Sequence, residues 1–194
     1  MKNKFTTKII AGIHKNKTLE LPSLSTTRSS KSRLKESFFN VLQFDIIDTL
    51  FIEAFGGSGS IGLEALSRGA KHSYFCELDR NSYKTLQKNC KTIDPENTTT
   101  FFGDTFEKIP TLITQLKNKQ EDIIIYIDPP FDFRDGMDEI YQKCFTMVEE
   151  IVNENIYMVV FEHMTELEMP QKIGKFTQQK NKKFGKSSLT YYHV

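Results

Sequence analysis

The chain has 194 residues, which is enough for one well-buried domain and short for two. Hydrophobic residues make up 38% and charged residues 26% of the chain, a balance typical of a soluble globular protein. The N-terminus has no apolar signal-peptide core, and no run approaches the about 20 apolar residues that span a bilayer. Three scattered cysteines argue against a disulfide framework or a zinc site and favour a reducing cytoplasm.

The net charge of +1 conceals a strong asymmetry along the chain. Residues 1–35 carry nine Lys and Arg residues and one acid, Glu20, and residues 171–194 carry six lysines and no acid. The segment between them is therefore acidic. Two basic ends on an acidic body can face a polyanion with one surface. Solvated tails are the alternative, but both ends are also patterned as strands, which favours the nucleic-acid interpretation.

The first predicted element is a basic-tipped β-hairpin, with strands at residues 9–13 and 18–22 and a turn at 14–17. The Ser/Thr-rich segment 23–32 is predicted to be a loop. We predict that Ser32 is the N-cap of a helix running from Arg33 to about Gln43. Residues 1–32 are therefore predicted to form a basic N-terminal extension of the domain, suited to contact with a nucleic acid.

From Leu50 onward strand and helix patterns alternate, which predicts an α/β fold with a mostly parallel, seven-stranded sheet and helices on both faces. The predicted strands are 50–55, 72–77, 98–102, 122–127, 156–162, 172–178 and 187–192. The predicted helices are 59–68, 80–92, 105–118 and 137–150. The last two strands have no helix between them, so residues 181–186 should close an antiparallel hairpin. The whole chain, 1–194, is predicted to be a single domain.

The two most informative motifs each follow a predicted strand. A glycine-rich turn, Gly57 to Gly62, follows the first core strand, and Asp128-Pro129-Pro130-Phe131 follows the fourth. A doubly wound sheet binds ligands outside the carboxyl ends of its strands, where the strand order reverses. In the usual order these two strands are neighbours across that point, so we expect the two motifs to meet in one cleft.

The glycine turn fits G-x-G-x-x-G, and Glu77 lies twenty residues past Gly57. This pattern suits a nicotinamide dinucleotide as well as a methionine-type cofactor, because glycines let a ligand approach the backbone in both cases. Glu53, four residues before Gly57, favours the second, since a carboxylate there could meet an amino group and would repel a pyrophosphate. A tight turn without a ligand is the structural alternative.

Asp104 follows the third core strand, where its carboxylate could accept a hydrogen bond from an adenine amino group. A helix N-cap explains Asp104 nearly as well, and both roles can coexist.

The turn Asp128 to Phe131 suits methyl transfer to an exocyclic amino group of a nucleobase. That nitrogen is a poor nucleophile because its lone pair is delocalised into the ring. The Asp128 carboxylate and the Pro129 carbonyl could accept its hydrogens and expose the lone pair, while Pro129 and Pro130 supply rigidity. Phe131 can stack on a base that has left its helix. A sulfonium supplies the leaving group, so no metal is needed; a proline turn that ends a buried strand is the alternative.

With these residues in hand, the chain resembles the bacterial RsmD family of 16S ribosomal RNA guanine-N2 methyltransferases almost from end to end. The resemblance rests on Ile9 to Pro22, Arg33 to Leu42, Gly57 to Ala70, Asp128 to Phe131 and Phe184 to Leu189. It implies the Rossmann-like class I methyltransferase fold, S-adenosylmethionine as methyl donor and one guanine of 16S rRNA as acceptor. The resemblance implies that the partner is the small ribosomal subunit or its assembly intermediate. It also implies that the protein is a monomer in the cytoplasm.

The resemblance also implies roles for particular residues. The methionine end of the donor would be lined by Glu53, Phe55, Gly57, Ser58 and Gly59, the ribose held by Glu77 with Leu78 beside it, and the adenine held by Asp104. Asp128, Pro129, Pro130 and Phe131 would be catalytic. Residues 8–35 would grip RNA, with Lys15, Lys17, Arg28, Arg33 and Lys35 as contacts.

The chain departs from the family pattern at several positions. The family's Arg-Pro-Thr aligns with Arg28-Ser29-Ser30, its Asp-Arg with Ser32-Arg33, a later Arg with Lys35 and an alanine with Gly56. Lysine keeps the charge but loses bidentate phosphate geometry. These changes affect the expected RNA contacts and loop rigidity rather than the fold or the donor.

Three other functions fit parts of the pattern. An adenine-N6 methyltransferase acting on DNA or RNA would use the same turn, although a DNA enzyme needs a target-recognition region for which no stretch is free. An assembly factor without catalysis would leave Asp128 to Phe131 unexplained. A nicotinamide oxidoreductase would make that turn a coincidence.

Overall fold

The structure, a computed structural model, describes residues 5–22, 28–130 and 137–194, without the side chains of 28–31 and 137–138. Its strands are β1 (Thr6–Lys8), β2 (Thr18–Glu20), β3 (Leu50–Glu53), β4 (His72–Glu77), β5 (Thr98–Phe102), β6 (Ile123–Ile127), β7 (Ile156–Met164), β8 (Lys172–Ile173), β9 (Phe176–Phe184) and β10 (Ser187–His193). Its helices are α1 (Arg28–Val41), α2 (Gly62–Ser67), α3 (Arg80–Ile93), α4 (Thr105–Gln115) and α5 (Met137–Glu150).

The central sheet has the strand order β5-β4-β3-β6-β7-β10-β9-β8. The first five of these strands are parallel, and β10, β9 and β8 are antiparallel additions. Strands β3 and β6 are neighbours, with Glu53 paired to Tyr126. The predicted α/β architecture and the predicted adjacency of the two motif-bearing strands are therefore confirmed.

The sheet has eight strands where the pattern predicted seven. The segment 172–178, predicted as one strand, folds as β8, a turn at Gly174 and the start of β9. Strand β9 then runs on to Phe184, so the hairpin loop before β10 is shorter than the predicted 181–186. Alternating Lys and Asn residues suppressed the strand signal there, because an edge region of a sheet tolerates exposed polar side chains on one face.

Both faces of the sheet are covered by helices because the parallel strands are apolar on both faces. In β6, Ile124 and Tyr126 pack with α1, α2 and α3, whereas Ile123, Ile125 and Ile127 pack with α4 and α5. The three cysteines are buried free thiols. Within the described ranges, no helix is both long and apolar enough to cross a bilayer.

The N-terminal hairpin forms, but its first strand is β1 (Thr6–Lys8) and not 9–13. Residues 9–17 instead make a turn that docks on α2. The buried Glu64 carboxylate accepts hydrogen bonds from the backbone N–H of Ile10 (2.7 Å) and Ala11 (3.0 Å). At Gly12 φ is +84°, and a Cβ there would lie 1.6 Å from the carbonyl oxygen of Ser67, so the turn can approach α2 only through glycine.

Helix α1 begins at Arg28, so Ser32 lies inside the helix and is not its N-cap. A serine inside a helix costs less than about 0.7 kcal/mol relative to alanine, so Ser32 does not oblige the helix to begin there. Leu34 and Phe38 are buried in the core on one face of the helix.

Candidate active site

A cavity of about 140 Å³ opens at the carboxyl ends of β3, β6 and β7, beneath α1 and the N-terminal extension. The residues that line it include Glu53, Phe55, Gly57, Ser58, Asp128 and Glu162. The glycine turn and the Asp-Pro-Pro turn thus meet, as the strand order predicted.

The glycine turn folds back sharply between β3 and α2. The N–H of Gly56 donates to the carbonyl of Cys76 on β4 (2.7 Å), and the N–H of Gly59 donates to the carbonyl of Gly56 (2.6 Å). Gly59 has φ of +76°, and a Cβ there would lie 2.7 Å from Leu86 on α3. Glycine is therefore required where the loop crosses between strand and helix.

Glu53 ends β3 and its side chain is only 5% exposed. Its carboxylate accepts a hydrogen bond of 2.8 Å from the N–H of Gly62 at the start of α2. Burial, with the negative charge of Asp128 as a further cause, raises the pKa of Glu53 to about 8, although the N–H of Gly62 opposes the shift. A cation bound beside Glu53 would favour its ionised form.

Glu77 ends β4 and orders the loop from its other side. One carboxylate oxygen accepts from the N–H of Gly57 (2.7 Å) and the other from the N–H of Asp79 (2.7 Å). Each oxygen retains a further lone pair for a ligand. Contact between Glu77 and a ribose stays a prediction.

Leu78 and Asp104 lie at the ends of neighbouring strands. Leu78 follows β4 and is 64% exposed. Asp104 follows β5 and caps α4, accepting from the N–H of Phe106 at 2.9 Å, so its predicted N-cap role is confirmed. The N–H of Gly103 donates to the carbonyl of Glu77 (3.1 Å), which joins the two strand ends. Contacts of Leu78 and Asp104 with a cofactor stay predictions.

The Asp-Pro-Pro turn leaves the buried strand β6. Asp128 is half-buried on the cavity wall, Pro129 is buried and Pro130 is exposed. Phe131, predicted to stack on a base, lies outside the described residues.

Glu162, near the end of β7, is a cavity residue that the sequence analysis did not single out. It is 3% exposed, and one of its carboxylate oxygens accepts a hydrogen bond of 2.6 Å from the hydroxyl of Tyr126. A signal for it existed in the sequence. An acid at the end of an apolar strand, 156–162, is the same pattern that drew attention to Asp128, and carboxyl ends of strands bind ligands.

The predicted RNA contacts divide into two groups. Lys15, Lys17 and Arg33 are exposed, and the side chain of Arg28 lies outside the described residues. The prediction that Lys35 contacts RNA does not fit its position, because Lys35 is only 4% exposed and its ammonium lies 3.2 Å from the Glu64 carboxylate. The ammonium also donates to the carbonyl of Lys8, so Lys35 anchors the extension instead of facing RNA.

The comparisons with known proteins agree with this geometry. A family model described as "Conserved hypothetical protein 95" matches residues 7–193. The chain belongs to this family. A Bacillus subtilis relative, "Putative rRNA methyltransferase YlbH", is 26% identical over 186 residues, which cover 95% of this chain and 97% of that protein. The "Ribosomal RNA small subunit methyltransferase D" of Haemophilus influenzae is 33% identical over 71% of this chain and 70% of its own length.

A solved structure has the same fold as this chain. "Putative methyltransferase yhhF from Escherichia coli" superposes with a TM-score of 0.75 at 25% identity, covering 97% of this chain and 98% of that one. The resemblance to the RsmD family and the class I methyltransferase fold are thereby confirmed.

Three carboxyl groups line the cavity of this chain. Glu53, Asp128 and Glu162 surround it, with Lys35 as a basic residue on its wall. Such a site suits a ligand that presents positive charge and N–H donors and would repel a pyrophosphate. This arrangement argues against the nicotinamide alternative and fits a methionine-type sulfonium cofactor.

Proposed function

We propose that the protein transfers a methyl group from S-adenosylmethionine to the N2 amino group of a guanine in the 16S rRNA of the small ribosomal subunit. The observation that carries the proposal is the meeting of the glycine turn and the Asp-Pro-Pro turn in one acidic cavity. The names of the family relatives, which describe methyltransferases of small-subunit ribosomal RNA, support the same reaction.

The residues proposed to hold the donor lie in the cavity and beside it. Glu53, Phe55, Gly57, Ser58 and Gly59 would hold its methionine end, Glu77 and Leu78 its ribose, and Asp104 its adenine. When bound, S-adenosylmethionine supplies an electrophilic methyl group on a positively charged sulfonium. The acidic wall favours that charge near Glu53.

Asp128 and Pro129 activate the acceptor nitrogen. The carboxylate and the backbone carbonyl accept hydrogen bonds from the two amino N–H groups. These bonds localise the lone pair of the nitrogen, which then faces the methyl group. Proline at positions 129 and 130 has no N–H to compete for these acceptors and holds the turn rigid. The base must leave its stack to enter the cavity, and Phe131 stacks on its face.

The RNA lies against the basic face beside α1. Arg33 is exposed on α1, and Lys15 and Lys17 are exposed in the turn that docks on the C-terminal end of α2. Lys182 on β9 donates a hydrogen bond of 3.3 Å to Ser37 on α1, which brings the basic C-terminal hairpin next to the N-terminal helix. The basic C-terminal hairpin and α1 therefore adjoin, which suits binding of a polyanion by one surface.

Methyl transfer from labelled S-adenosylmethionine tests the proposal. Small subunits from cells lacking this protein are the substrate, subunits from wild-type cells are the control, and the RNA is digested for nucleoside analysis. We expect label in N2-methylguanosine with the first substrate and none with the second. Label in N6-methyladenosine would mean that the substrate base is adenine and not guanine. An absence of label, with donor binding demonstrated separately, would contradict the proposed activity.

A further inference from the structure

Glu162 and Asp128 lie side by side at the ends of neighbouring parallel strands. Ile127 on β6 pairs with Phe161 on β7, and the two acids follow these partners directly. Adjacent strands are about 4.8 Å apart, so two ligand groups separated by a few ångströms could each meet one carboxylate. Both acids line the same cavity.

The Glu162 carboxylate is satisfied on one side only. Oε2 accepts the hydroxyl of Tyr126 at 2.6 Å, and this bond orients the side chain. Oε1 is buried and has no hydrogen-bond partner within residues 5–22, 28–130 and 137–194. A buried acceptor without a partner costs free energy unless a bound group donates to it. The orphan oxygen therefore points to a ligand with an N–H or O–H donor, and a nucleobase edge supplies N–H groups.

We propose that Glu162 is a specificity-determining residue that accepts the N1–H of the target guanine. This inference rests on the proposed function. In guanine the N1–H lies next to the N2 amino group on the same edge of the base. Asp128 can therefore accept a hydrogen bond from the amino group while Glu162 accepts one from the N1–H. One base edge then satisfies both carboxylates.

The same contact rejects adenine. Adenine carries an exocyclic amino group that Asp128 could hold, but its N1 has a lone pair and no hydrogen. That lone pair would face the carboxylate of Glu162 and leave the buried acceptor unsatisfied. A site built to bond a substrate N–H discriminates strongly against a ligand that lacks it.

The first test compares E162Q with Y141F in methyl transfer to unmodified small subunits. Glutamine keeps the size and the acceptor for Tyr126 but removes the carboxylate. The hydroxyl of Tyr141 donates to the backbone carbonyl of Glu162 at 3.4 Å and does not touch its carboxylate, so Y141F is the matched control. We expect kcat/KM to fall at least about tenfold in E162Q and to stay near wild type in Y141F.

Two further readouts separate recognition from a structural role. The melting temperature should be unchanged in E162Q because glutamine keeps an acceptor for the hydroxyl of Tyr126, and any rise in the Kd for S-adenosylmethionine from the lost negative charge should be far smaller than the fall in kcat/KM. A wild-type kcat/KM in E162Q, while the wild type forms N2-methylguanosine, overturns the role of Glu162 alone. A wild type that forms no N2-methylguanosine overturns the proposed function instead.

A second experiment compares two nucleotides as inhibitors, and its first readout uses the wild-type protein without any substitution. Guanosine 5′-monophosphate and 2-aminopurine riboside 5′-monophosphate are compared as inhibitors of wild-type methyl transfer. The second nucleotide keeps the 2-amino group but has a lone pair at N1. We expect the guanine nucleotide to inhibit at about tenfold lower concentration, and this ratio to fall toward one in E162Q. Equal inhibition of the wild type by both, or none by either, overturns the proposal.

Discussion

The side-chain amide of Asn89 donates a hydrogen bond of 2.8 Å to the carbonyl oxygen of Ser58 in the glycine turn. The same amide donates to the carbonyl of Glu20 (2.9 Å), and its oxygen accepts from the N–H of Glu20 (3.0 Å). Asn89 is buried on α3. One side chain therefore connects the N-terminal extension, through β2, to the loop that would hold the donor.

Replacing Asn89 by alanine should destabilise the protein and loosen this connection. The change leaves three backbone groups of Glu20 and Ser58 without their partner, and we expect the free energy of unfolding to fall by about 2 to 3 kcal/mol. Urea unfolding measures the loss. Lys84→Ala, on an exposed position of the same helix, should change stability by less than about 0.5 kcal/mol. Equal stability of the two variants would show that the amide does not hold the extension.

The contrast between Asn89 and Asp128 shows what sequence patterns can predict. The position of Asp128 follows from rules that act locally and then through topology: an apolar strand ends, a proline turn follows, and parallel strands bring their carboxyl ends to one edge. The meeting of Asp128 with Glu53 was therefore predictable without any contact information.

Asn89, Glu64 and Lys35 were not predictable in this way. Each makes its defining hydrogen bonds across more than 25 residues of sequence, and no periodicity marks a buried polar side chain. Lys35 reads as one more surface cation in a basic segment. Only the packing of α1 against α2 places it beside Glu64, where burial lowers the pKa of its ammonium despite the attraction of that carboxylate.

The titration of Glu53 should make the stability of the ligand-free protein depend on pH. Its pKa is raised to about 8 in the folded state, while the unfolded value lies near 4.5. Between these values the folded protein binds more protons than the unfolded chain, so stability falls as pH rises toward 8. From pH 6 to pH 9 the wild type should lose about 2 to 3 kcal/mol more than Glu53→Gln.

Denaturant unfolding at the two pH values measures this difference. Glu96→Gln, which changes an exposed glutamate, is the control and should follow the wild type. If Glu53→Gln loses as much stability as the wild type over the same range, Glu53 is ionised in the folded state at both pH values.

Neutralising exposed cations of the extension should weaken RNA binding and its salt dependence. Lys15→Gln, Lys17→Gln and Arg33→Gln combined remove three charges from the proposed RNA face. Each phosphate contact contributes about 0.7 to 0.9 to the slope of log K against log salt concentration, so we expect the slope to decrease by about 2 to 3. Filter binding of small-subunit RNA over a salt series measures it.

A matched triple variant controls for net charge. Lys117, Lys119 and Lys143 are exposed on other elements, and their replacement by glutamine removes the same charge. The slope should change little in this protein. An equal decrease in both triple variants would mean that overall charge, and not the extension, determines the affinity.

Removing the Asp128 carboxylate should separate donor binding from methyl transfer. In Asp128→Ala the amino group of the base loses an acceptor, and we expect transfer to small subunits to fall at least about a hundredfold. Donor affinity should not weaken, because the negative charge of Asp128 helps to raise the pKa of Glu53, and its loss favours the ionised Glu53. Calorimetric titration with S-adenosylmethionine and single-turnover transfer rates measure the two effects.

The control for this variant is Asp45→Ala. Asp45 is exposed, and its carboxylate accepts a hydrogen bond of 3.3 Å from the hydroxyl of Tyr157 near the start of β7. The start of β7 is at the amino-terminal ends of the parallel strands, whereas the cavity is at their carboxyl ends. Both donor affinity and transfer should match the wild type in that protein. If Asp128→Ala also turned over at the wild-type rate, the amino group would have to be held by other residues. If it lost donor affinity in step with transfer, Asp128 would belong to the donor site and not to the acceptor site.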